Sequence, residues 1–322
     1  MSNAKIFTKM LIPLDGSQLA EVVFPYAQEF AGRLDLDLIF LNVYSSEESE
    51  FAPMRRAYVE QACEIVRRGA EEVRKPTGVQ PGVKALEARC EVVMGHPAEE
   101  ILRYAEENDI DLIVMATHGR SGIKRWAIGS VADKVLRAAK VPVCLVRAGV
   151  PEEIAYDKWP RVTILVPLDG SELAESVLPY FEVLAKQRGA KLVDMVLLRV
   201  CEPCEAPLIP SGSRASMTPY DSSVRMKSDG YVKREMAKRR RETKQYLARA
   251  EKRLKDVGLT VRSEMLAGNP ADEIINYANR NPFNLIVMAT HGRSGLSRWA
   301  YGSVADRVLR GVSSPIFLVR PG

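Results

Sequence analysis

Leu112-Ile113-Val114-Met115-Ala116-Thr117-His118-Gly119-Arg120-Ser121-Gly122 runs on into Ile123-Lys124-Arg125-Trp126-Ala127-Ile128-Gly129-Ser130-Val131-Ala132-Asp133. The pattern returns as Leu285-Ile286-Val287-Met288-Ala289-Thr290-His291-Gly292-Arg293-Ser294-Gly295 followed by Leu296-Ser297-Arg298-Trp299-Ala300-Tyr301-Gly302-Ser303-Val304-Ala305-Asp306. Each copy reads as a buried strand, a glycine-rich loop and a helix that starts at Gly-Ser. A continuous apolar run with β-branched residues suits a parallel strand covered on both faces. Glycines let backbone N–H groups approach a ligand closely. A helix N-terminus adds unpaired N–H groups and the positive end of its dipole. The combination is one for holding an anion.

Working outward, more of the chain repeats. Ile12-Pro13-Leu14-Asp15-Gly16-Ser17 returns as Val166-Pro167-Leu168-Asp169-Gly170-Ser171, and Gly95-His96-Pro97-Ala98-Glu99-Glu100-Ile101 returns as Gly268-Asn269-Pro270-Ala271-Asp272-Glu273-Ile274. The offset is 154 at Asp15 and Asp169 but 173 at His118 and His291, so the second copy carries 19 extra residues in its middle. Two homologous domains follow, spanning 1–148 and 161–322 with a linker at 149–160. In the first, strands are expected at Ile6–Leu14, Leu36–Tyr44, Ala85–Met94, Asp111–Ala116 and Val141–Arg147. Helices are expected at Ser17–Arg33, with Ser17 as N-cap, at Met54–Lys75, at Pro97–Asn108 and at Ser130–Ala139. Strands alternating with helices imply a parallel sheet with helices on both faces. Most of the excess falls in 201–230, a stretch rich in Ser, Pro and Gly that is expected to be a long mobile loop; a basic helix then opens at Lys233.

Composition narrows the class. The 322 residues are 46% hydrophobic and 27% charged, with a net charge of +5. That mild charge permits an anionic ligand without demanding nucleic acid. No apolar run approaches the roughly 18 residues that a membrane span needs. No basic n-region leads into an apolar h-region, so no secretory signal is expected. Five cysteines at irregular spacing do not read as a disulfide framework, and a reducing cytoplasm is the expected location. No P-loop, dinucleotide fingerprint or nucleophile elbow occurs, and no residue is evidently placed to activate a water at a γ-phosphate. Binding is therefore better supported than turnover.

The loop spacing carries a resemblance. Ala116-x-x-Gly119 is followed by nine residues and Gly129-Ser130, and Ala289-x-x-Gly292 by nine residues and Gly302-Ser303. This resembles the universal stress proteins in a tandem two-domain form, whose ATP-binding members show Gly-x-x-Gly, nine residues, then Gly-Ser or Gly-Thr. Both halves depart from that pattern only at its first position, where Ala stands for Gly. The resemblance implies two Rossmann-like five-stranded parallel domains of strand order 3-2-1-4-5. It implies ATP or another adenine nucleotide as a regulatory ligand in stress response, with magnesium as an accompanying ion. Asp15 and Asp169 are then expected to contact the ribose, Pro13 and Pro167 to help enclose the base, and Val43 and Val200 to meet the adenine. Gly119, Gly129, Ser130 and Val131 are expected to meet phosphates in the first site, and Gly292, Gly302, Ser303 and Val304 in the second. Ala116, His118, Ala289 and His291 complete the two loops. The final strands are expected to pair with each other as an internal pseudo-dimer, with a homodimer and an unidentified protein partner as further associations.

Bland readings stand beside these. Ser130-Val131-Ala132-Asp133 and Ser303-Val304-Ala305-Asp306 look like capping boxes with Asp in place of Glu. Asp15-Gly16-Ser17 also suits a plain strand-to-helix turn. His118 and His291 lack nearby carboxylates or cysteines at metal-ligand spacing. Cys201-Glu202-Pro203-Cys204 lacks the second pair that a zinc site wants. The basic run at 233–241 lacks aromatic interleaving and reads as a solvated helix face. Two other functions remain open: an interaction or chaperone-like protein without nucleotide, and slow ATP hydrolysis.

Overall fold

The computed structural model describes residues 7–74, 86–117, 128–147, 150, 161–180, 182–183, 192–203, 219–281, 283–291 and 302–320. The first half runs β1 (Lys9–Pro13), α1 (Phe24–Leu34), β2 (Asp37–Tyr44), α2 (Ala52–Arg74), β3 (Ala88–Met94), α3 (Pro97–Glu107), β4 (Leu112–Ala116), α4 (Ser130–Ala138) and β5 (Val143–Val146). The second runs β6 (Val162–Pro167), α5 (Glu172–Glu175), β7 (Val193–Cys201), α6 (Pro219–Asp256), β8 (Thr260–Ala267), α7 (Pro270–Arg280), β9 (Leu285–Ala289), α8 (Ser303–Gly311) and β10 (Ile316–Val319).

Within each half the strands are parallel and ordered as expected, β3-β2-β1-β4-β5 and β8-β7-β6-β9-β10. The halves fuse into one sheet because β5 and β10 pair antiparallel, Phe317 opposite Cys144. Two short apolar edges thus cover each other's unpaired backbone groups. The described sheet is left with β3 and β8 as its edges.

Alternation along the strands sorts side chains to two layers. Leu112, Val114 and Ala116 of β4 face the layer that packs α1 and α2, whereas Ile113 and Met115 face the layer of α3 and α4. β9 repeats the split, with Leu285, Val287 and Ala289 on one side and Ile286 and Met288 on the other. Both layers run through the junction without a break, which is why every residue of β4 and β9 is buried. The near-continuous apolar runs of the sequence are the signature of this double coverage.

Arginines lock the junction reciprocally. Arg147, just after β5, donates from Nη2 to the carbonyl of Leu309 in α8, and Arg320, just after β10, donates to the carbonyl of Arg137 in α4 at 3.2 Å. Each helix therefore has one of its orphan C-terminal carbonyls capped by the other half. Arg147 is buried, and burial first, then neighbouring Arg310, pushes its guanidinium pKa below the ordinary value. Arg147→Ala should cost about 1–3 kcal/mol, the range for stranding a buried hydrogen-bonding group. Urea unfolding checks this, and an unchanged midpoint would contradict the capping role.

Three local expectations need correction. The helix expected over Ser17–Arg33 with Ser17 as N-cap is not continuous. A 3-10 turn occupies Glu21–Val23, and α1 starts at Phe24. Pro25 supplies no N–H to the carbonyl four residues back, so it is tolerated only in a first turn. Secondly, the loop expected over 201–230 is strand at Cys201 and helix from Pro219 onward, while 204–218 lies outside the described residues. The Lys-, Arg-, Glu- and Ala-rich segment that follows extends its helix backward through weaker helix formers. Thirdly, Ser130 and Ser303 do not cap their helices. Gly129 and Gly302 are the N-caps, with no side-chain cap bond, and the two serines are first helical residues. The linker 149–160 falls outside the described residues apart from Val150, which packs against the core.

Candidate functional site

The two halves build the same corner at the carboxyl ends of their first and fourth strands, where the strand order reverses. Such a switch point is where open α/β sheets leave a crevice. In the second half, Asp169 Oδ1 accepts from Ser171 N at 2.9 Å and Ser171 Oγ at 2.6 Å, and Ser171 Oγ accepts from Ala174 N at 3.1 Å. In the first half, Asp15 Oδ1 accepts from Ser17 N at 3.0 Å and Ser17 Oγ at 2.7 Å. Gly16 and Gly170 take φ of 86° and 87°, which favours glycine, and so turn the chain directly after each aspartate. The plain-turn reading therefore holds for Oδ1 of each carboxylate.

The loop ends match as well. Thr117 N donates to Val146 O at 2.8 Å and Gly129 N to Thr117 O at 2.8 Å; Thr290 N donates to Val319 O at 2.9 Å and Gly302 N to Thr290 O at 2.9 Å. These bonds tie the start of α4 and α8 to the end of β4 and β9. Asp306 N returns to Gly302 O at 3.0 Å, the first intrahelical bond of α8. Helix geometry leaves the N–H groups of Ser303, Val304 and Ala305 without intrahelical acceptors.

In the second half these parts enclose a cavity of about 590 Å³. That lies within the ~300–1,000 Å³ usual for small-molecule sites. Of the residues singled out from sequence, Pro167, Asp169, Val200, Ala289, His291, Gly302, Ser303 and Val304 line it. Gly292, His118 and Gly119 lie outside the described residues. In the first half, Pro13 ends β1, Asp15 follows it, Val43 lies near the end of β2, Ala116 ends β4, and Gly129, Ser130 and Val131 open α4. His291 is buried with Nδ1 3.0 Å from Thr290 Oγ1, a pairing that fixes the ring against the wall.

The cavity has both polar and apolar lining. Asp169 and Glu202 follow the ends of β6 and β7, and the amino end of α8 contributes Gly302, Ser303 and Val304. The apolar part of the wall is made by Leu168, Leu198, Val200, Ile274 and Met288. Behind Asp169, on the other face of the sheet, Arg199 lies 4.6 Å over the ring of Tyr246. Burial first, then Glu175, raises the Tyr246 phenol pKa, Asp169 adds to it, and Arg199 opposes. In the first half, burial, then Glu21 and Asp15, raises Tyr58 in the same way.

Several lining residues were not legible in the sequence. Asn269 caps α7, accepting at Oδ1 from Ala271 N at 3.1 Å and Asp272 N at 3.3 Å. Arg307 of α8 donates from Nη1 to the same oxygen at 3.3 Å and from Nη2 to Asp272 Oδ1. The Ser303–Arg307 spacing of four was the available signal, because it sets both on one helix face. Of the C-x-x-C, Cys201 is buried at the end of β7 and Cys204 lies outside the described residues. Among the described residues, Cys63, Cys90, Cys144 and Cys201 are free thiols, and no helix is long and apolar enough to cross a membrane.

Comparison with known proteins returns a consistent picture. The sequence model described as "Universal stress protein family" matches residues 7–147 and again 161–320. A universal stress protein of Mycobacterium bovis is 21% identical over 317 residues, covering 97% of this chain and 96% of the relative. A universal stress protein of Methanocaldococcus jannaschii is 29% identical over 142 residues, 44% of this chain and 83% of the relative. The crystal structure of a universal stress protein from Archaeoglobus fulgidus superposes with a TM-score of 0.62 at 20% identity, covering 98% of both chains. At that identity the structural likeness speaks for the fold alone.

Proposed function

The chain belongs to the universal stress protein family, and from that premise we propose that it binds ATP or a related adenine nucleotide as a regulatory ligand in a stress response. One observation carries the reading: a single second-half cavity is lined by a carboxylate, by apolar side chains and by a helix amino end that has no side-chain cap bond. A nucleotide has the complementary order of parts. Its base suits the wall between Pro167 and Val200, and its ribose hydroxyls donate to Asp169. Its phosphates accept from the N–H groups of Ser303 and Val304, close to Gly302, where the helix dipole favours negative charge. Ser303 Oγ, released from capping, is one more donor. Ala289 and His291 shape the floor, with Gly292 in the loop. The first half offers the same elements through Pro13, Asp15, Val43, Ala116, Gly129, Ser130 and Val131, and its sequence supplies His118 and Gly119 at the matching loop positions. Among the described residues no cluster of His, Cys, Asp or Glu could hold a metal ion, so magnesium would enter with the nucleotide and would neutralise phosphate charge.

The ligand is held rather than turned over in this reading, and the protein works in the cytoplasm, in keeping with its free thiols. A second reading, a protein-docking role without nucleotide, draws on α6. It is 38 residues long against 23 in α2, and its stretch 233–241 is largely exposed and basic. Calorimetric titration of ATP into nucleotide-free protein separates the two. Binding heat and a rise in unfolding temperature with ATP concentration are expected, since a ligand of the native state stabilises it by mass action. No heat and no thermal shift at millimolar ATP would leave the docking role.

A further inference from the structure

Among the described residues, Arg307 is the one cationic side chain that lines the cavity, and it is tied to Asn269 and Asp272 at the start of α7. It lies four residues after Ser303, so the two share a face of α8. Side chains on a helix lean toward its amino end, which here is the anion-holding end. The guanidinium bridges from α8 to α7, donating to Asn269 Oδ1 at 3.3 Å and to Asp272 Oδ1. Both residues of the ion pair are about half exposed, 51% for Arg307 and 49% for Asp272. A solvated pair of this kind contributes little to stability, so exchanging one anion for another is cheap. Asn269 already accepts from Ala271 N and Asp272 N, so it keeps its capping partners when the guanidinium leaves. The first half differs at each of these positions: Lys134 stands in place of Arg307, His96 in place of Asn269 and Glu99 in place of Asp272.

We propose that Arg307 is a specificity-determining residue of the second site, exchanging Asp272 for the ligand's phosphates and so selecting phosphorylated nucleotides over nucleosides. The proposal rests on the nucleotide reading of that cavity. A guanidinium presents two parallel N–H donors that match a phosphate's oxygens, whereas an ammonium such as that of Lys134 acts as a point charge. Asp272 has two effects in this scheme. It holds Arg307 at the rim of the empty site, and it competes with the phosphates for it.

The test measures ATP and adenosine affinities by calorimetry, with Asp15→Asn in all proteins to weaken the first site so that the second is read separately. Relative to that parent, Arg307→Ala is expected to weaken ATP by roughly tenfold or more, the range for losing a charge-assisted hydrogen bond, and to leave adenosine unchanged. Arg307→Lys should restore part of the loss. Asp272→Asn should strengthen ATP severalfold without moving adenosine, which a merely structural ion pair would not do. If Arg307→Ala leaves the preference for ATP over adenosine as in the parent, or weakens both ligands equally, the proposal is overturned while the nucleotide site stands. If the parent binds neither ligand, the nucleotide reading itself fails and takes the proposal with it.

Discussion

Replacing Phe317 by alanine is expected to remove about 3–5 kcal/mol of unfolding free energy, the cost of deleting a large buried ring and leaving a cavity. Phe317 is fully buried in β10, at the seam between the halves. Its ring lies 6.2 Å and 85° from Phe7 and 6.3 Å and 72° from Phe30, both edge-to-face pairs with residues of the first half. Phe7 in turn lies 5.5 Å from Tyr180 of the second half. The rings thus interleave the two halves in one layer, and no single half can collapse to fill the gap. Phe317→Leu, closer in volume, should cost less than about 1.5 kcal/mol. Denaturant unfolding followed by circular dichroism checks both. A loss below about 1 kcal/mol for the alanine variant would mean that the seam is not a shared core.

Asp169→Asn should lower ATP affinity at the second site by about 10- to 100-fold while moving the unfolding temperature by less than about 2 °C. The contrast follows from the two tasks of the side chain. Asparagine keeps an oxygen to accept from Ser171 N and Ser171 Oγ, bonds of 2.9 and 2.6 Å that hold the turn. It loses the charge, and with it the stronger acceptance from ribose hydroxyls in an enclosed site. Asp169→Ala loses both tasks, so it should fall in stability as well as in affinity. Calorimetry with ATP and thermal unfolding measure the pair of effects. Wild-type affinity in the asparagine variant would remove Asp169 from the binding account.

Much of this architecture was readable because local and global signals agree. Leu112–Ala116 and Leu285–Ala289 are unbroken apolar runs, and only a strand covered on both faces asks for that. The repeat of Asp-Gly-Ser after one strand and Gly-Ser after another marks both corners along the chain. The failures are equally physical. Ser17 looked like a helix cap, but Pro25 decides where α1 can begin. Ser130 and Ser303 looked like caps, but Gly129 and Gly302 bond back to Thr117 and Thr290 and take the cap position themselves. The residues 219–230 looked like loop from composition, yet helical propensity further along the chain extends into them. The contact of Asn269 with Arg307 depends on how α7 meets α8, and no spacing along the chain encodes that meeting.

A crystal structure grown with saturating ATP tests the central claim most directly. The account predicts nucleotide density in the second-half cavity, with ribose against Asp169 and phosphates over the backbone N–H groups of Ser303 and Val304. A cavity left empty at saturating ATP, or nucleotide bound elsewhere with Asp169 and α8 untouched, would contradict it.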